Sequence, residues 1–202
     1  MSSTAAPTWD NPGKIVQKPS KLAHLVLRTN DYKRLSAFYQ TFLSATVNYE
    51  NEFMSLLSYD EEHHRLGIVQ VDGIAPKNPN TNGLEHIAFT YLSLTELAMA
   101  YLQRKEHGIE PFWCINHGPT TSIYYHDLDG NIIENQVDNF DTVKEAAEYM
   151  IGAEYNMNPL GVDFKMEDLI KRIRSGEDER SLKKRPASGP RSLDTVPGGA
   201  AP

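Results

Sequence analysis

The amino-acid sequence predicts an α+β fold built from two copies of one β-α-β-β-β unit. Three observations predict it. First, letters repeat: Ala23-His24-Leu25 returns 62 residues later as Glu85-His86-Ile87, and Gln70-Val71-Asp72 returns 66 residues later as Gln136-Val137-Asp138. Second, each repeat opens on a short strand-like run that passes directly into a helical pattern. Third, 121–138 reads as two antiparallel strands around Asp127-Leu128-Asp129-Gly130, where Asp bonds its local backbone and Gly supplies a positive φ.

In chain order, residues 1–20 are polar with three prolines and read as an extended arm. A strand is predicted over 22–28. Asn30 or Asp31 then caps a helix to about Leu43, because Leu35, Phe38, Tyr39 and Phe42 fall on one face. Three strands follow at 46–50, 53–59 and 65–71. The Pro-, Asn- and Gly-rich stretch 72–83 is a linker. The second copy begins with a strand at 84–90. Ser93 and Glu96 form a capping-box pair for a helix ending near Gly108. Strands at 111–114, 121–126 and 131–137 complete the copy. Beyond Asp138, helices are expected at 142–150 and 166–174, outside the paired core or against a second copy in a homodimer. The domain reading is therefore an arm over 1–20, a paired module over 21–138, a helical extension over 139–176 and a charged, disordered tail over 177–202. Deleting 186–202 is expected to be silent.

Composition narrows the function classes. The chain has 202 residues, a net charge of −7 and 23% charged residues, which argues against non-specific nucleic-acid binding. One cysteine, Cys114, excludes an intrachain disulfide and fits a reducing compartment. No apolar run approaches the roughly 18 residues of a membrane span, and the first twenty residues lack an apolar signal core. A cytoplasmic location is the expectation.

The chemistry centres on His24, His86 and Glu134. The two histidines hold equivalent places in the leading strands, and Glu134 is a lone carboxylate within an apolar strand. A buried carboxylate is costly unless it is paired or metal-bound. Two imidazoles and one carboxylate form the triad suited to Fe(II) with open positions. The 66-residue offset maps Glu134 onto Ile68, which cannot coordinate, so three protein ligands are expected. By strand alternation His64, Leu66 and Ile68 share a face, so His64 is expected to look into the cavity and His63 away from it. Asp127 and Asp129 are turn residues, since the rest of a calcium loop is missing. Tyr125 and Cys114 read as packing residues.

Paired units with a leading histidine in each and a closing Asp127-x-Asp129-Gly130-x-x-x-Glu134 resemble the vicinal oxygen chelate superfamily over 21–138. Within it the chain is most similar to extradiol ring-cleaving dioxygenases of the biphenyl-diol and catechol type. Their motifs stand here as His63-His64-Arg65-Leu66 opening the fourth strand, His117-Gly118-Pro119 ahead of the seventh, and Tyr124 ten residues before Glu134. His117 stands seven residues before Tyr124, a shorter spacing than the family's.

The resemblance implies Fe(II) on His24, His86 and Glu134, with Mn(II) and Zn(II) as other candidates. It implies an aromatic vicinal diol and O2 as substrates, His64, His117 and Tyr124 as catalytic residues, and ring opening outside the diol. Two alternatives stand beside it. One is a metalloenzyme of the same superfamily, a glyoxalase-like lyase, an epimerase or a three-ligand thiol transferase. The other is a binding module for a small aromatic molecule.

Overall fold

Strands β1 (Leu25–Thr29), β2 (Thr46–Glu50), β3 (Met54–Ser58) and β4 (Leu66–Gln70) form a first sheet in the order β1-β4-β3-β2. Strands β5 (His86–Thr90), β6 (Trp113–Asn116), β7 (Thr120–His126), β8 (Ile132–Asp138) and β9 (Val162–Asp163) form a second, in the order β5-β8-β7-β6-β9. In both, the leading strand pairs in parallel with the closing one, and the intervening ladders are antiparallel. Two copies of the predicted unit are therefore present. The computed structural model describes residues 8–197. No helix among them is long and apolar enough to cross a membrane.

Helix α1 (Tyr32–Leu43) starts where Asp31 accepts a bond from the Arg34 amide, and α2 (Leu94–Glu106) where Ser93 does the same for Glu96. The stripe read from the sequence is the buried one: Leu35, Phe38, Tyr39 and Phe42 are each at most 9% exposed. One hydrophobic cluster joins both units. At its centre the Arg104 guanidinium lies 4.1 Å above the Phe42 ring and donates to the Phe42 carbonyl from Nε and Nη2, at 2.9 and 2.6 Å. The 127–130 turn is tied to α1. Asp127 accepts from the Tyr39 hydroxyl at 2.9 Å, and Asp129 from Arg34 at 2.6 Å. Cys114 sits in β6, half-buried against this cluster.

Past β8 come α3 (Val143–Met150), α4 (Ala153–Met157), α5 (Met166–Arg174) and α6 (Glu179–Lys183). Helix α5 packs onto α2 within the same chain and buries Met166 and Leu169, so its apolar face needs no second copy. The sequence reading missed four elements here: α4, β9, α6 and a 3-10 turn at Leu193–Thr195. Residues 162–163 add an edge strand to β6, and 179–183 are helical where a disordered tail was expected. That tail is ordered through 197 because its charges find partners. Arg172 bonds Glu177, Lys183 bonds Glu179, Arg191 bonds Asp163, and Leu182 enters the core. The predicted ends at 1–7 and 198–202 lie outside the described residues.

Candidate active site

Register decides which side chains share a face. His86 opens β5, and Ala88, two residues on, pairs with Glu134. Glu134 pairs with Tyr124, and Tyr124 with Trp113. Directly paired residues point to the same side of a sheet, so His86, Glu134, Tyr124 and Trp113 line one face. His86 Nε2 donates to Glu134 Oε2 at 3.0 Å. The Tyr124 ring stands edge-on to His86, at 5.6 Å, and stacks on Trp113 at 4.9 Å. His117 reaches the same face from the β6–β7 loop, where its Nε2 lies 2.9 Å from the Tyr124 hydroxyl.

The superfamily profile described as Glyoxalase/Bleomycin resistance protein/Dioxygenase matches residues 21–135. The chain belongs to that superfamily. A Rhodococcus globerulus protein named Biphenyl-2,3-diol 1,2-dioxygenase 3 is 42% identical over 164 residues, 80% of this chain and 86% of its own length. Another from the same organism, Biphenyl-2,3-diol 1,2-dioxygenase 2, is 44% identical over 71% of this chain and 76% of its own. A crystal structure of a glyoxylase/bleomycin resistance protein/dioxygenase domain from Frankia sp. EAN1pec shares the fold. Its TM-score is 0.51 at 16% identity, covering 60% of this chain and 99% of that one. Within the superfamily this chain stands on the extradiol dioxygenase branch, among enzymes.

The first unit departs from the sequence reading by one residue. Val26, two residues past His24, pairs with Gly67. Since Ala88, two past His86, pairs with Glu134, the position equivalent to Glu134 is Gly67, and the true offset is 134 − 67 = 67. Ile68 pairs with Leu27 and is fully buried in the core. The expected vacancy at Ile68 is thus corrected to Gly67, because a one-residue slip in register moves a side chain to the opposite face. The conclusion that the first unit offers no carboxylate is unchanged.

The same slip removes His64 from the face it was expected to share with Leu66 and Ile68. Leu66 and Ile68 face the core, and His64 lies in the turn ahead of β4. That turn still carries its ring to His24, with centroids 4.3 Å apart. His63, exposed on its own side chain to 71%, shares a 2.5 Å hydrogen bond between Nδ1 atoms with His64. His24 is exposed and stands with His64 rather than with His86 and Glu134. Among the described residues no three His, Cys, Asp or Glu side chains are gathered into one metal-binding cluster.

The donor set nevertheless suits a divalent cation. Glu134 is 5% exposed, and His86 is its one ion-pair partner among the described residues. Burial opposes the charge of Glu134, but bonds from His86 and Ser122 outweigh it and hold the carboxyl below its ordinary value. The hydrogen bond to Glu134 raises His86 in turn. A buried carboxylate compensated by a shared proton is a place where a cation can take that proton's role.

Around the pair, burial raises Tyr124, with Glu134 adding to the effect, so its hydroxyl remains a donor. Burial lowers His117 and keeps it neutral. Partial burial and the neighbouring His24 and His63 lower His64. The sequence reading placed β6 at 111–114, two residues early, and did not single out Trp113, whose place on this face follows from its pairing with Tyr124. Arg185 was missed altogether: it was read as part of a solvated tail.

Proposed function

We propose that this protein is an Fe(II)-dependent extradiol-type dioxygenase that inserts O2 into an aromatic vicinal diol with opening of the ring. The observation that carries the reading is the single face on which Tyr124, joined to His117, stands beside the His86–Glu134 pair. Similarity to proteins named biphenyl-2,3-diol 1,2-dioxygenases supports it.

In this reading His24, His86 and Glu134 hold the metal. Bound there, Fe(II) supplies a Lewis-acidic centre with open positions and a path for electrons from an electron-rich ring to dioxygen. The chain's own groups manage protons and orientation. Tyr124 keeps its phenolic proton and donates it as a hydrogen bond to a diol oxygen. His117, neutral, accepts the Tyr124 hydrogen bond at Nε2 before substrate binds and offers that nitrogen to the substrate once the phenol turns to the diol. His64 takes a diol proton as general base and returns it during ring opening. Trp113 presents an aromatic wall that helps exclude water and align the diol. Gly67 offers no fourth protein ligand, which leaves a position free for the second substrate.

Protein loaded with Fe(II) under argon and mixed with 2,3-dihydroxybiphenyl and air tests the reading. Stoichiometric O2 uptake with a yellow ring-opened product is expected. Stoichiometric metal without O2 uptake would favour the lyase or transferase chemistry of the same superfamily instead.

A further inference from the structure

The segment that follows the paired units returns to the site. Arg185 lies just past α6, and its side chain is 2% exposed. Its Nη1 donates to two backbone carbonyls, His117 O at 3.1 Å and Asn158 O at 2.7 Å. Its Nη2 donates to Glu154 O at 3.0 Å, and the nearest carboxylate oxygen, on Glu154, is 3.5 Å away. A guanidinium this enclosed, held mainly by carbonyls, is a costly way to fasten a loop.

The two carbonyls on Nη1 flank one further bond. His117 Nδ1 lies 2.5 Å from the carbonyl of Leu160. That carbonyl is fixed by Asn158, whose Oδ1 accepts from the Leu160 and Gly161 amides at 3.1 and 2.9 Å. Close approach is built in. A Cβ on Gly161 would meet His117 Cα at 2.8 Å, and one on Gly118 would meet the Tyr149 ring, which lies 5.6 Å from the Arg185 guanidinium. Because a carbonyl only accepts, the neutral His117 imidazole must carry its proton on Nδ1. Nε2 is then an acceptor, facing the Tyr124 hydroxyl at 2.9 Å.

We propose that Arg185 is a positioning residue for His117: by gripping the His117 and Asn158 carbonyls with one nitrogen, it sets the Nδ1–H tautomer and so keeps Nε2 available as a proton acceptor in the site. The catalytic value of that acceptor rests on the dioxygenase reading; the tautomer does not. The ordered tail thereby becomes part of the active site's support, although it touches no substrate.

The test uses the full-length chain with 15N-labelled histidine. In the metal-free wild type, His117 is expected to show a protonated Nδ1 and an unprotonated Nε2. Arg185→Met keeps the reach but removes the donors, and it is expected to give mixed tautomers. On the Fe(II)-loaded protein kcat should then fall about 10-fold, a fraction of the 10²–10⁴ typical of losing a positioned acid or base outright, with KM for the diol changing less. If Arg185→Met does not fold, Arg185→Lys replaces it, since an ammonium lacks the planar fork whose second nitrogen also holds the Glu154 carbonyl; the same shift in tautomer is expected, smaller in size. A wild type protonated on Nε2, or a folded variant with an unchanged tautomer, would overturn the proposal. A tautomer that depends on Arg185 in a protein that cleaves no diol would leave it standing and sink the dioxygenase reading alone.

Discussion

In the second sheet the row that crosses the site runs Ala88, Glu134, Tyr124, Trp113; in the first, the equivalent row runs Val26, Gly67, Leu56, Tyr49. Backbone pairing is the same, and the chemistry is entirely different. The second row carries a carboxylate, a phenol and an indole, and β9 and Arg185 brace its loop. The first row is apolar or empty apart from Tyr49, and its polar contribution is confined to His24 and His64 at one end. A Cβ at Gly67 would lie 3.2 Å from Val26 Cγ2 and 3.3 Å from Leu56 Cδ2, so neighbouring side chains already occupy the space a carboxylate would need. Duplication thus supplies a symmetric frame, and the candidate site draws unequally on its two halves.

The largest expected effect comes from breaking the working half. Glu134→Ala should abolish stoichiometric metal and with it diol cleavage. The loss of metal affinity should exceed the ~10–100-fold typical of mutating outer groups that only orient a ligand. His86→Ala should match it. His24→Ala is the sharper probe, because His24 stands apart from the other two. Metal content by mass spectrometry decides each case, and a variant that keeps its full complement removes that residue from the site.

Next in size is His64, the polar end of the first half. His64→Ala should keep the metal and the diol affinity but lose about 10²- to 10⁴-fold in kcat. His63→Ala should be nearly silent. Reversed outcomes would assign the proton work to His63, and two silent variants would leave the first half with metal binding alone.

Making the halves more alike should cost less. Gly67→Asp restores a carboxylate to the first row, at about 1–3 kcal/mol of stability from overpacking against Val26 and Leu56. A fourth ligand should tighten metal binding while slowing turnover, because one open position is taken. Unchanged metal affinity and turnover would mean that Gly67 does not face the metal.

The smallest effect concerns His117. Its folded pKa is depressed by burial, so the unfolded chain takes up a proton first as the solution is acidified. The stability contributed by a neutral His117 is full above the free-imidazole value of ~6.5 and is lost as pH falls through the folded value. His117→Gln should therefore flatten the decline of Tm between about pH 7 and pH 5, by a few degrees. Parallel curves for the two proteins would argue against a buried neutral imidazole.

Much of this was legible in the sequence because the signals were local. The α1 stripe, the Ser93 cap of α2 and the Asp127–Gly130 turn each depend on residues within one or two turns of chain, and each is found where its letters stand. What was misread depends on distant partners. The match between Gln70-Val71-Asp72 and Gln136-Val137-Asp138 lies at strand ends, where letters do not determine pairing, and it misplaced the vacant position by one residue. Arg185 and Arg191 look solvated in a charged, proline-containing stretch. Their partners, His117 and Asp163, lie 68 and 28 residues earlier, beyond the reach of any window read along the chain. The short spacing from His117 to Tyr124 looked like a departure from the family, yet a tight loop with Gly118 at a φ of 103° brings the two side chains into contact.

Cys114 in β6 bears on how the enzyme must be handled. Burial, reinforced by the charges of Glu167 and Asp163, pushes its thiol up to about 12. At neutral pH the thiol stays protonated, whereas the thiolate is the species that reacts with oxidants and disulfides. It is the chain's one cysteine. With iron as the metal, as proposed, inactivation in air should therefore leave the thiol titre unchanged and be reversed by a reductant that returns Fe(III) to Fe(II), with no need for thiol repair. A preparation that loses its free thiol along with its activity would place the damage in an opened β6 rather than at the metal.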